Sequence, residues 1–366
     1  MSTVRARLLW AGSILAVLVV ATLAAGTGSR SAGGQLPARL SDQQFWQLSQ
    51  DFSEADGTFH SENLVSNEIR FQTIVPELMR MVRPGRAYVG VGSEQNFTYM
   101  AAVRPSVVFI VDLRRGNLDL HLIYKALFEL SGDRADFVSR LFSRPRPPGL
   151  TASSSADEIF AAYAGVAPSE TLYAANLRTI TEHLTKTHGF TLLDGDHDGI
   201  EFVYRSWFEG GPDIYYHLTG RGGRGGGGFP TYADLMTATD GEGRARSYLA
   251  SDESFRFIKG LQEKNLLIPV VGNFGGPKAL RAVAGWLKQH GMTVGGFYTS
   301  NVEQYLRRDG LWDTFCASAA TFPIDDASTF IRSERGGFAG TPQRGVGRFW
   351  LGLEPIAATT AACATR

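Results

Sequence analysis

The chain has 366 residues, with 36 basic and 36 acidic side chains and a formal net charge of zero. That balance argues against nucleic acid as the partner, because nucleic-acid binders need a basic field to neutralise phosphates. Hydrophobic residues make up 43% of the chain, enough for a large core, so one large domain or a domain with an insertion is expected.

Arg5 and Arg7 precede an uncharged run from Leu8 to Ser29, and the small residues Ala24, Ala25, Gly26 and Gly28 follow its apolar part. This is the order of a secretory signal, and an uncleaved membrane anchor is the alternative. Either reading puts the folded part outside the cytoplasm, exported or anchored, with membrane contact only through this segment. Residues 1–29 are thus assigned to a signal or anchor, 30–41 to a linker, 42–335 to the folded domain and 336–366 to a flexible tail.

Helical stretches are expected at Asp42–Phe52 and Asn67–Met81, then a strand at Arg86–Val91. A helix from Glu94 to Val103 stops at Arg104-Pro105, because a residue before Pro is pushed out of the helical region. The next strand, Ser106–Asp112, is a continuous apolar run of the kind buried on both faces of a parallel sheet. Helical spacing returns from Leu118 to Phe142, and a mostly helical insertion is expected at about 143–230. Ser251 then caps a helix. Strands at Leu266–Val271 and Thr293–Thr299 follow, with Pro277 expected in the first turn of the helix between them, and then a helix at about Asn301–Arg308. The expected architecture is a doubly wound, Rossmann-like α/β sheet with a helical insertion.

Two segments point to a small-molecule ligand. Gly90, Gly92, Ser93, Glu94 and Asn96 stand at the first strand-to-helix turn, where glycine lets backbone approach a ligand and the helix offers free N–H groups. Gln95 replaces the third glycine of the dinucleotide fingerprint. Asp112 ends the next strand, where an acidic residue accepts ribose hydroxyls, and Arg114 follows; a turn Asp with a local ion pair is the plainer reading. A third cluster, Tyr232, Asp234, Thr237, Asp240, Arg246 and Tyr248, lines the crevice or forms an internally bonded loop. Asn273 follows a later strand as a further substrate contact.

Other motifs carry less. Asp194-Gly195-Asp196-His197-Asp198-Gly199 opens like a calcium loop, but Arg205 stands where a bidentate Glu is required, so a helix-capping turn is expected. The seven histidines show no ligand spacing, and no metal is expected. The Gly-rich stretch 220–228 reads as a loop. Cys316 and Cys363 leave a disulfide open. No nucleophile elbow or phosphate loop occurs, and no catalytic residue is assigned.

The runs Gly92-Ser93-Glu94-Gln95-Asn96-Phe97-Thr98-Tyr99, Phe109-Ile110-Val111-Asp112-Leu113-Arg114-Arg115-Gly116-Asn117 and Asn301-Val302-Glu303-Gln304-Tyr305-Leu306 resemble an uncharacterised bacterial family. Tyr232-Ala233-Asp234-Leu235-Met236 and Gly275-Gly276-Pro277-Lys278-Ala279-Leu280 do so too. The resemblance implies a class I methyltransferase-like fold over roughly 40–335, with S-adenosylmethionine or another adenosine-type ligand at Gly90, Gly92 and Asp112. Export would part such a domain from a donor made and held in the cytoplasm, so the other reading is an exported non-catalytic small-molecule-binding protein that reuses the fold. The chain departs from the methyltransferase pattern at Tyr88-Val89, where an acidic residue often precedes the glycines.

Overall fold

The computed structural model describes residues 34–216, 229–335 and 349–364. The expected signal or anchor segment, the Gly-rich stretch 220–228 and the first part of the expected tail lie outside the described residues.

Helix α1 (Asp42–Phe52) begins with a full capping box, Ser41 accepting from the Gln44 N–H while the Gln44 side chain accepts from the Ser41 N–H. A short 3₁₀ turn, Phe71–Ile74, leads into α2 (Val75–Met81). The helix expected from Asn67 therefore starts late. Its first residues are used instead to line a cleft, as described below.

Strand β1 (Ala87–Gly90), helix α3 (Gln95–Val103) and strand β2 (Val107–Asp112) follow in the expected order. Every residue of both strands is buried, consistent with their apolar composition. α3 ends with Arg104 in the left-handed region, φ 50°, because Pro105 bars the helical conformation there. The long helix expected next is two, α4 (Arg115–Leu130) and α5 (Arg134–Phe142), since Asp133 caps a new start by accepting from the Asp136 N–H at 2.8 Å.

Between β2 and the third strand lie α6 (Ala156–Ala164), α7 (Glu170–Glu182), a π turn at His183–Thr187, α8 (Asp194–Gly210) and α9 (Tyr232–Thr237). The calcium-like run forms the first turns of α8, and Arg115 holds its Asp196 at 2.7 and 2.8 Å. Helix α10 (Asp252–Glu263), capped by Ser251, then precedes β3 (Leu267–Val271). Helix α11 (Ala279–Gln289) starts two residues after Pro277, which sits in the loop before the helix rather than in its first turn. β4 (Val294–Ser300), α12 (Val302–Arg308) and α13 (Trp312–Ala319) complete the alternation.

The expectation of a flexible tail holds for no described residue after 335. Strand β5 (Thr329–Arg335) pairs with β6 (Phe349–Pro355), and α14 (Ile356–Ala364) follows. A Cys316–Cys363 disulfide fastens α14 to α13. The two cysteines stand 47 residues apart in sequence, which is why spacing alone did not reveal the pairing.

The strands form one six-stranded sheet in the order β3-β2-β1-β4-β5-β6. The first five are parallel and β6 is antiparallel to β5. The fold is therefore mixed α/β with a mostly parallel sheet and helices on its faces; aromatic contacts show both layers. Phe97 of α3 packs on Tyr124 and Phe128 of α4, while Phe109 of β2 packs on Trp286 of α11. As the outermost strand on its side of the sheet, β3 tolerates Pro269, whose missing N–H would break a central strand. α1 and the chain after it cover that edge: Ser49 Oγ donates to the Pro269 carbonyl at 2.6 Å, and the Glu54 N–H donates to the Val271 carbonyl at 2.8 Å.

Candidate functional site

Strand order reverses at β1, whose neighbours are β2 and β4. The loops leaving the carboxyl ends of those strands diverge to opposite faces and leave a crevice. A cleft of about 210 Å³ lies there, lined by Gly92 and Ser93 after β1, Asp112 and Arg114 at the end of β2, Asn273 after β3, and Ser300 at the end of β4. Phe59, Tyr298 and Tyr305 add aromatic wall.

Gly92 has φ +80°, and a Cβ placed on it would meet nothing within 4 Å. Its backbone thus needs glycine for conformation, and its Cα faces open space. His121 Nε2 lies 2.9 Å from the Gly92 carbonyl oxygen. Burial holds the His121 ring at about 4, well below its ordinary value, so the ring is neutral and donates from Nε2. Asn96 braces the same turn from beneath, donating to the Val91 and Ser93 carbonyls at 2.9 and 2.8 Å and accepting from Tyr88 Oη at 2.9 Å. Gly90 is there for that brace: a Cβ on it would fall 2.1 Å from Asn96 Oδ1.

Asp112 is engaged. Arg114 meets its two carboxylate oxygens side-on, both at 3.0 Å, and the Arg114 N–H adds a third bond at 3.0 Å. Arg114 also donates to the Ser61 and Glu62 carbonyls. The pair therefore ties the end of β2 to segment 58–68, and it fits the plainer reading, a turn Asp with a local ion pair.

A family model for a domain of unknown function, DUF7790, matches residues 63–188 and 200–351, more than half of the chain. The chain belongs to that family. No curated protein matches it. The DUF7790 match takes in every residue that lines the cleft except Thr58 and Phe59.

Within the DUF7790 chain, five of the residues expected at a site meet in this cleft: Gly92, Ser93, Asp112, Arg114 and Asn273. The others do not line it. Gly90 and Asn96 lie behind the turn. Glu94 is fully buried, its carboxylate accepting from the Ser66 N–H at 3.1 Å, and burial pushes it up to about 7. Tyr232 sits in the aromatic core, its hydroxyl bonded to that of Tyr248 and its ring 5.0 Å from Trp207. Asp234 closes the capping box of α9 with Thr231. Asp240 is held in its turn by Arg246 at 2.8 Å and by the Glu242 and Arg244 N–H groups at 2.8 and 2.9 Å. The cluster from Tyr232 to Tyr248 thus builds core and turns.

The floor of the cleft was not foreseen. Beneath Gln95, Tyr298 and Ser300 lies Glu68, wholly buried. It accepts from Gln95 Nε2 at 2.6 Å, Tyr298 Oη at 3.1 Å and Ser300 Oγ at 3.2 Å. Burial raises its pKa against the pull of these hydroxyl and amide donors. Ser300 and Asn63, both at the cleft, hold φ of 49° and 48°, a region that costs non-glycine residues energy and gathers at functional sites. The available signal was composition: Ser61 to Glu68 is largely polar and aperiodic, ahead of the turn that leads into α2.

Proposed function

We propose that this chain is an exported small-molecule-binding protein that holds a polar, adenosine-type ligand in the cleft of a Rossmann-like sheet. One observation carries the reading. Gly92 and Ser93 after β1, Asp112 after β2 and Asn273 after β3 line one concave site at the reversal of strand order, where open parallel sheets bind ligands. The open face of Gly92 gives a ligand access to backbone, and Phe59 and Tyr305 offer faces for a flat heterocycle. Recognition is assigned to the Gly92 backbone, Ser93, Asn273 and the aromatic faces rather than to Asp112, whose two oxygens Arg114 already meets, and no group of the cleft is assigned to methyl transfer. Placement outside the cytoplasm is supported by the charge and small-residue order of residues 1–29 and by the Cys316–Cys363 bridge, since disulfides persist in oxidising compartments.

Calorimetric titration of the purified protein with adenosine, S-adenosylmethionine and S-adenosylhomocysteine tests this. At least one is expected to bind with a Kd in the micromolar range. Gly92→Ala, which strains the turn and puts a methyl group into the cleft, is expected to weaken it at least tenfold. No heat from any of the three at 100 μM protein would overturn the adenosine-type reading.

A further inference from the structure

On the side of the molecule where α1, α4 and the π turn meet, three side chains converge on one point. His183 Nε2 lies 2.7 Å and His188 Nε2 2.6 Å from the same oxygen, Oε2 of Glu129. The candidate ligand atoms all lie within 4.8 Å of one another, and none of the three residues lines the cleft. We propose that Glu129, His183 and His188 form a binding site for a divalent transition metal ion, with zinc as the best match.

The backbone explains how two histidines five residues apart reach one point. On an α-helix, positions three or four apart share a face and positions five apart diverge. The π turn widens the helix by one residue, with the His188 N–H donating to the His183 carbonyl at 3.0 Å. Single π turns of this kind occur frequently at functional sites. The two rings end with centroids 4.8 Å apart, edge to face. The spacing His183-x4-His188 therefore shows no ligand pattern on a helical reading and becomes one only through this turn.

The surroundings give His188 the outer support that metal-binding histidines use. Asp42 Oδ1 lies 2.7 Å from His188 Nδ1; a proton held there directs the Nε2 lone pair toward the metal point. Asn265 Nδ2 in turn donates to Asp42 Oδ1 at 2.8 Å. Lys125 binds the other oxygen of Glu129, Oε1, at 2.7 Å, and is itself held by the Gln262 carbonyl at 2.8 Å. It thus fixes the carboxylate while leaving Oε2 to the histidines. Of the charged groups bonded directly within the cluster, two are carboxylates, Asp42 and Glu129, and one is an ammonium, Lys125, which suits an incoming cation.

Two imidazole nitrogens and one carboxylate oxygen match zinc in donor type, and they leave a fourth tetrahedral position for water. Seating the ion requires the donors to spread to about 3.3 Å apart, the separation set by zinc–ligand bonds of about 2 Å. The side chains of His183, His188 and Glu129 are 16%, 11% and 8% exposed, so an ion enters from the surface without unfolding the core.

The test uses the full-length protein stripped with chelator and then titrated with Zn²⁺ or Co²⁺ alone. The expected result is one ion per chain with micromolar or tighter affinity, and for Co²⁺ the intense visible absorption of a four-coordinate site. The paired variant His183→Gln, His188→Gln keeps hydrogen-bonding groups in place and is expected to lose at least tenfold in affinity and the visible band. If that variant proves poorly folded, Glu129→Gln supplies the same comparison. Sub-stoichiometric binding by the wild type, or equal binding by folded variants, would overturn the site and leave a hydrogen-bonded ion-pair network.

Discussion

Glu94 was expected to touch a ligand and instead lies under the glycine turn, where burial pushes its carboxyl from an ordinary 4.5 up to about 7. A carboxyl raised on folding supports the folded state fully below its ordinary value, and that support is lost as pH rises through its folded value. The window is therefore about pH 4.5 to 7, and the loss on crossing it is about 3 kcal/mol. Glu94→Gln removes the ionisation and keeps a hydrogen-bonding end group. Relative to wild type, the variant is expected to gain about 2–3 kcal/mol in unfolding free energy between pH 5 and pH 8. Urea unfolding of both proteins at the two pH values measures it. A constant difference would show that Glu94 is ionised in the folded protein throughout.

At the scale of elements, strand β6 pairs with β5 and helix α14 after it carries a covalent tie to α13. Closing a loop of 47 residues removes unfolded-state entropy worth about 4 kcal/mol in the chain-entropy model, with about 2–4 typical of measured bridges. The paired variant Cys316→Ser, Cys363→Ser is expected to lower stability by that amount and to expose α14 amides to hydrogen exchange before those of β1 and β2. Equal protection would mean that packing on α13 suffices. The contrast also explains what could be read beforehand. The parallel strands were legible because Val107 to Val111 and Leu267 to Val271 announce double burial in their composition. α14 was not, since Ala, Thr and Gly around it give no periodic stripe and its anchor is a bond between distant residues. The break between α4 and α5 was missed for a different reason, a cap at Asp133 inside an otherwise continuous apolar pattern. In the cleft, the glycine turn and Asp112 were legible because they follow strands. Glu68 was not, because a buried carboxyl held by Tyr298 and Ser300 is assembled by long-range folding.

For the whole molecule, the compartment decides which ligands the cleft meets. Among the described residues no helix is long and apolar enough to cross a membrane, and the proposed export rests on residues 1–29 together with the Cys316–Cys363 bridge. A fusion of residues 1–60 to a reporter active only outside the cytoplasm is expected to give full reporter activity, and replacing Arg5, Arg7 and the run from Leu8 by a polar sequence is expected to abolish it. An inactive first fusion would place the cleft in the cytoplasm.

The cover that α1 lays over β3 has a practical consequence. The DUF7790 match begins at Asn63, after α1 has ended at Phe52. A shortened protein cut at that family boundary would bare a row of unpaired strand groups, interrupted only at Pro269. Such a row recruits strands from other molecules, so truncation there turns the sheet's outer margin into a seed for polymer growth.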